Sequence, residues 1–176
     1  MQSHISSRFQ PLRRRSRLSS ALHSGSMNRS LLVLLAVMLP VPAIAADLAA
    51  LQQTLVRHGF RIEVRQPPGG AYGRFLSGRK VLEISPLVQD LGITRPVLLH
   101  EAVHAAQSCP NGRLTPLKLD RQSSPVVESR IRYLLNNHYS QEHQGLEQEA
   151  FRLQSQPDAE ALIIAALNRR CPNGSE

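Results

Sequence analysis

An α+β fold in one small domain is predicted by three observations. Residues 60–85 alternate apolar and polar side chains in short runs separated by Pro/Gly turns, the pattern of brief antiparallel strands. Residues 94–108 are apolar nearly all round and carry His100-Glu101-Ala102-Val103-His104, an HExxH pentapeptide on a helix that belongs inside the protein. From Pro125 onward apolar residues recur at helical spacing, so the C-terminal half is helical. The expected order is therefore short strands, the HExxH helix, then further helices.

The chain begins with a leader. Met27 is followed by Asn28-Arg29, the apolar stretch 31–39, Pro40, Pro42 and the small triplet Ala43-Ile44-Ala45, the layout of a secretory signal peptide cleaved after Ala45. The apolar stretch is too short for a permanent membrane span. Residues 1–26 are either an extended n-region or sequence upstream of a start at Met27, and the second is favoured because Met27 alone opens a complete signal. The mature domain is then 46–176, about 130 residues, enough for one core and too short for two.

The leader also accounts for the apparent basicity. The whole chain has 21 basic and 13 acidic residues, a net of +8, but residues 1–45 hold six of the basic residues and none of the acidic ones. The remainder carries 15 against 13, a net of +2. Clustered Lys and Arg with aromatic readers are missing, which argues against nucleic acid as a partner.

The elements follow in order. Asp47 is the expected N-cap of an amphipathic helix through Leu48, Leu51, Leu55 and Val56, closing at His58-Gly59. Residues 60–65 set Phe60, Ile62 and Val64 against Arg61, Glu63 and Arg65, a half-buried strand. Pro67-Pro68-Gly69-Gly70 is a turn. Residues 72–76 and 80–85 form a hairpin about Ser77-Gly78, its second strand burying Val81, Leu82 and Ile84. Residues 87–92 connect to the HExxH helix, where Thr94 is the expected N-cap and Pro96 falls in the first turn.

Residues 110–124, with two prolines and a glycine, read as loop. Pro125 opens a helix through Val126, Val127, Ile131, Leu134 and Leu135 to about Asn137. A second spans 141–155, and Pro157-Asp158 start the last, 159–170, apolar through Leu162, Ile163, Ala166 and Leu167. Cys109 and Cys171 are each followed by Pro-Asn-Gly, as if each closes a helix. In an oxidising compartment they are expected to pair, closing a long loop and contributing about 3–4 kcal/mol by chain entropy.

On a helix, His100 and His104 point the same way and can hold one Zn²⁺, with Glu101 between them within reach of an activated water. A third ligand is needed. The pattern HExxHxxGxxH is absent, because its glycine would fall at Gln107 and its third histidine at Pro110. A later glutamate is the remaining option, and the best tract is Gly145-Leu146-Glu147-Gln148-Glu149-Ala150-Phe151. With Leu146 at 0° and about 100° per residue, Ala150 falls near 40°, Phe151 near 140° and Leu153 near 340°, with Glu147 at about 100° and Glu149 at about 300°. Glu147 lies inside the apolar arc and is named as third ligand; Glu149 is the alternative, and Glu128 a more distant one.

His100-Glu101-Ala102-Val103-His104, followed some forty residues later by Glu147-Gln148-Glu149-Ala150, resembles the gluzincin group of zinc metallopeptidases. In that group two histidines on one helix and a glutamate on a later helix bind the metal. A Glu-x-x-Ala pattern on the glutamate helix matches Glu147 to Ala150, whereas a small residue directly after the ligand would favour Glu149. The resemblance implies a zincin-like domain, Zn²⁺ as cofactor, and residues 80–85 as the edge strand against which an extended peptide aligns. The aspartate often found four residues after the ligand glutamate is replaced here by Phe151 or Leu153, which leaves the outer support of the metal unassigned.

The expected activity is hydrolysis of a peptide or protein substrate by an exported enzyme, periplasmic or extracellular, with Glu101 as general base. Donors for the developing oxyanion are sought among Tyr133, His138, Tyr139 and His143. The alternative is a non-catalytic zinc-binding or interaction domain of the cell envelope. A structural protein with a fortuitous pentapeptide would contain no stoichiometric zinc.

Overall fold

The computed structural model describes residues 43–138, 141 and 143–172. The predicted leader lies outside the described residues except for 43–45, whose backbone opens α1 (Ala43–Arg57). This helix starts four residues ahead of the expected Asp47 cap. The run Ala43-Ile44-Ala45-Ala46 continues it because alanine gives up no side-chain entropy in a helix, so Asp47 lies inside the element. Leu51 and Leu55 are buried on one face, while Val56 is 65% exposed on the other. Gly59 ends the helix at φ 80°, a conformation that favours glycine. Its N–H bonds Val56 O at 2.9 Å and Phe60 N–H bonds Leu55 O at 3.0 Å, so the last carbonyls are satisfied as the chain turns into the sheet.

Three strands follow: β1 (Arg61–Val64), β2 (Gly73–Leu76) and β3 (Val81–Ile84), in the order β1-β3-β2. The expected hairpin is β2–β3, antiparallel and joined through Ser77–Arg79. The pairing of β1 with β3 is parallel, from Arg61↔Val81 to Val64↔Ile84, so the sheet is mixed and not wholly antiparallel. The turn after β1 reverses the chain but sets β2 one strand width too far away, and β3 returns between them. As the central strand β3 is buried along its whole length, Glu83 included. Glu83 is only 1% exposed, and Arg74 Nε at 3.0 Å and Arg65 Nε at 3.4 Å supply the charges a buried carboxylate requires.

A short helical turn, α2 (Leu87–Asp90), occupies the expected connection. Next comes α3 (Thr94–Gln107), which begins at Thr94 itself, one residue off the expected cap, with Ile93 in the cap position. Every residue from 98 to 107 is buried, as an all-round apolar pattern demands. Leu98 and Leu99 are almost fully enclosed, each worth about 1.5–3 kcal/mol of burial. Three helices complete the domain: α4 (Pro125–His138), α5 (Gln144–Gln154) and α6 (Ala159–Arg170). The helix α3 is the hub, packed against α5, α6, β2, β3 and α1, while α4 rests on α5. On α4, Ile131 and Leu135 are buried as expected, but Val126, in the first turn, is 79% exposed.

Cys109 and Cys171 form a disulfide with Cα atoms 5.0 Å apart, joining the end of α3 to the end of α6. Beside it Arg170 donates to the carbonyls of Cys109, Thr115 and Pro116, holding the loop after α3 against α6. Among the described residues no helix is long and apolar enough to cross a membrane.

Candidate metal centre

Four positions apart on α3, His100 and His104 bring their rings edge to face with centroids 4.8 Å apart and Nε2 atoms 3.1 Å apart. From α5, Glu147 reaches both, with Oε2 at 3.0 Å from His100 Nε2 and Oε1 at 3.4 Å from His104 Nε2. One ligand atom from each of the three residues lies within 4.8 Å of the others, a group that could hold a metal ion. The histidines are under 9% exposed, and the Glu147 side chain is 16% exposed.

The outer nitrogens decide what the inner ones offer. His100 Nδ1 meets Gln154 Oε1 and His104 Nδ1 meets Gln107 Oε1, both at 2.8 Å. Each amide oxygen can only accept, so each imidazole donates from Nδ1 and its Nε2 is a bare lone pair. Two lone pairs and two carboxylate oxygens thus converge with no donor between them. Such a set attracts a cation, and in the cation's absence a proton.

The electrostatics agree. Burial opposes the Glu147 anion, but with a proton taken up at the imidazoles, hydrogen bonds from His100 and His104 and their charge more than offset it and hold the carboxyl at about 2. Burial works against a protonated His104 as well, yet the hydrogen bond and charge of Glu147, the charge of Glu101 and the Gln107 contact raise its pKa. For Glu101, burial dominates and raises the pKa, against the lowering effect of both histidines and of a hydrogen bond from the Phe75 backbone.

Glu101 lies directly on β2. A Cβ on Gly73 would stand 2.5 Å from Glu101 Oε1 and 2.8 Å from Val97 Cγ1, so no larger residue fits there with Glu101 in this position. Ser85 N–H bonds Tyr72 O. By antiparallel alternation Gly73 and Phe75 then turn their N–H and C=O groups to the free edge of β2. This corrects the expected edge strand: 80–85 is the central strand, paired on both sides, and β2 borders the metal group.

A cleft of about 290 Å³ opens over these groups. His100, Glu101, His104 and Glu147 line it, with Ala71, Gly73, Arg74 and Phe75 along β2 and Leu114 from the loop after α3. Among the described cleft residues Arg74 is the one cation, and its Nε and Nη2 both engage Glu83 Oε2 at 3.0 Å.

The other expected site residues lie elsewhere. Tyr133 lines a shallow depression on α4 with Pro125, Val126, Ser129 and Arg130, its ring 5.4 Å from the Arg130 guanidinium. His143 is exposed at the start of α5. Neither lines the cleft, because one sits on the outer face of α4 and the other at a solvated helix end. The side chain of His138 and all of Tyr139 fall outside the described residues. Glu149 turns away from the histidines and accepts hydrogen bonds from Gln107 Nε2 and from the backbone of Leu117 and Lys118. Glu128 is paired with Arg152 at 2.8 and 2.9 Å.

Gln107 and Gln154 were not singled out by the sequence, and neither was Gly73. Glutamine carries no charge or periodic signal that marks it as a partner of histidine, although Gln107 three residues after His104 shares its helix face.

A family model described as a domain of unknown function (DUF8637) matches residues 89–171. The matched stretch runs from the end of α2 through α6 and includes His100, His104, Glu147 and both cysteines, but none of the strands. No curated protein and no solved structure matches the chain.

Proposed function

We propose that this chain is an exported zinc-dependent peptidase of gluzincin-like design. The observation that carries the reading is the convergence of two bare Nε2 atoms and the Glu147 carboxylate beside Glu101, at the free edge of a strand. The donor set fits zinc: two neutral imidazoles and one carboxylate are a common three-ligand set for a zinc that keeps a further position open. When bound, Zn²⁺ supplies Lewis-acid polarisation of a carbonyl and brings the acidity of water toward neutrality.

The chain's own groups would do the rest. Gly73 offers main-chain N–H and C=O, and Phe75 its C=O, to an extended peptide, which adds as a further strand. Glu101, anchored on the Phe75 N–H, takes a proton from water at its carboxylate and returns it to the leaving amine nitrogen. Burial of the site excludes bulk water, which strengthens each of these interactions. The zincin-like character of the fold rests on a hairpin whose outer strand borders the HExxH helix. Export is supported by the Cys109–Cys171 disulfide.

The test is paired. Native protein is expected to contain one zinc per chain and to cleave a mixed peptide library, and Glu101→Gln to keep the zinc while losing cleavage. Cleavage by Glu101→Gln at the native rate would refute the mechanism.

A specific observation also favours a non-catalytic zinc-binding domain: Glu101 is only 6% exposed and already bonded to Phe75. That reading expects zinc without cleavage of any library member, and a large fall in melting temperature on chelation.

A further inference from the structure

Glu149 lies two residues beyond Glu147, so on α5 it points to a different side. Its Oε2 accepts from Leu117 N–H and from Gln107 Nε2, both at 2.8 Å. Its Oε1 accepts from Lys118 N–H at 2.8 Å and from Leu119 N–H at 3.4 Å. A carboxylate has nothing to donate, so the side of the Gln107 amide that faces it must be NH₂. The carbonyl of Leu146, 3.2 Å from the same nitrogen, makes the same demand. Gln107 is fully buried. Its Oε1 is therefore fixed on His104, which can meet it only with an N–H on Nδ1.

We propose that Glu149 is a positioning residue: through Gln107 it holds His104 as the Nδ1–H tautomer, leaving the Nε2 lone pair for the metal. The same carboxylate gathers the backbone of residues 117–119, so one side chain ties the cleft-wall loop bearing Leu114 to the metal centre. Gln107 reinforces the tie, its own carbonyl accepting from Thr115 N–H at 2.9 Å. The tautomer follows from hydrogen-bond logic alone; its effect on metal affinity rests on the function proposed above.

The experiment uses the full chain, metal-free and ¹⁵N-labelled at histidine, at a pH alkaline enough for neutral rings. Long-range ¹H–¹⁵N correlation reads which nitrogen of His104 carries the proton, and competition with a chromophoric chelator reads Zn²⁺ affinity. In native protein the proton is expected on Nδ1. In Glu149→Gln one acceptor oxygen becomes NH₂ and confronts donors in either orientation, so the hold on Gln107 weakens toward the Leu146 carbonyl alone; part of the His104 proton population is expected to move to Nε2, and zinc to bind about 10–100-fold more weakly.

An Nε2–H tautomer in native protein would overturn the proposal without any variant. So would a Glu149→Gln chain that keeps Nδ1–H throughout and native affinity. Native protein with Nδ1–H on His104 that binds no zinc would instead overturn the proposed function and leave the tautomer relay standing.

Discussion

Two buried histidine environments, one at the end of α1 and one on α3, differ in one respect. His58, 1% exposed at the end of α1, has Nδ1 3.2 Å from the Pro172 carbonyl and Nε2 3.0 Å from the Asn168 amide. Both partners are oxygens, the second on an amide side chain, so each ring nitrogen of His58 has its own hydrogen-bond partner. His100 and His104 are also bonded at Nδ1, but their Nε2 atoms face each other and a carboxylate. Burial alone does not mark a histidine for chemistry. The mark is an inner nitrogen with nothing to accept from.

The sharpest way to break this contrast is to remove one ring from each environment. His104→Ala is expected to lower zinc from one per chain to a trace, with affinity down by three orders of magnitude or more. His58→Ala should keep full zinc stoichiometry and lose about 2–4 kcal/mol of stability through the vacated space and two hydrogen bonds. Metal analysis and denaturant melts on both variants measure this. Zinc loss in His58→Ala at a temperature where it remains folded would erase the distinction.

Opening the disulfide tests the two environments together. Cys171 adjoins Pro172, the partner of His58, and Cys109 follows α3. Cys109→Ser/Cys171→Ser is expected to cost about 3–4 kcal/mol, read as a lower denaturation midpoint, while zinc stoichiometry stays at one. A loss of zinc in the folded variant would show that the metal group depends on the bridge between α3 and α6.

The pH response of the metal-free protein sharpens the comparison further. Glu147 is depressed from 4.5 to about 2, so its stabilising effect is present above 4.5 and lost as pH falls toward 2. His104 is raised above 6.5, so its contribution is present below 6.5 and lost as pH rises through the higher value. Glu101, also raised, acts in the same direction as His104, its effect fading as pH climbs above 4.5. Melting temperature without metal should peak in mildly acidic solution, and saturating zinc should flatten its alkaline side. A monotonic rise from pH 5 to 8 without metal would contradict the acceptor-only cluster.

Two smaller effects concern the surroundings. Gly73→Ala should displace Glu101 from β2 and reduce cleavage at least tenfold with zinc retained, because the added methyl meets the carboxylate and Val97. Glu128→Gln, which breaks an ion pair on the outside of α4 and α5, should leave melting and zinc unchanged within error. Either variant losing zinc would extend the centre beyond α3 and the inner face of α5.

What the sequence made legible was local. The apolar run around His100 announced a buried helix, and the arc of Leu146, Ala150 and Phe151 singled out Glu147 as the inward carboxylate of its tract. The hairpin about Ser77 and the disulfide partners were readable from turns and compartment. Long-range arrangement was not. Alternation in 60–65 and 80–85 carries no information on which strand lies between the others, so the central position of β3 and its parallel pairing with β1 went unread. Glu83 shows the same limit: in sequence it is a polar residue of an alternating strand, and only the two arginines folded over it make its burial tolerable. Tyr133 failed as a cleft donor for a related reason, since proximity in sequence to α5 does not say which side of α4 a ring occupies.

The absent side chain at position 73 has one further effect. It lets the Glu101 carboxylate lie directly against β2, so under the proposed function a peptide settling along that strand would meet main-chain groups and this carboxylate together. Features shared by all polypeptides would govern capture at that point. Discrimination among them would fall to the flanks, where Ala71, Phe75 and Leu114 set the width of the opening.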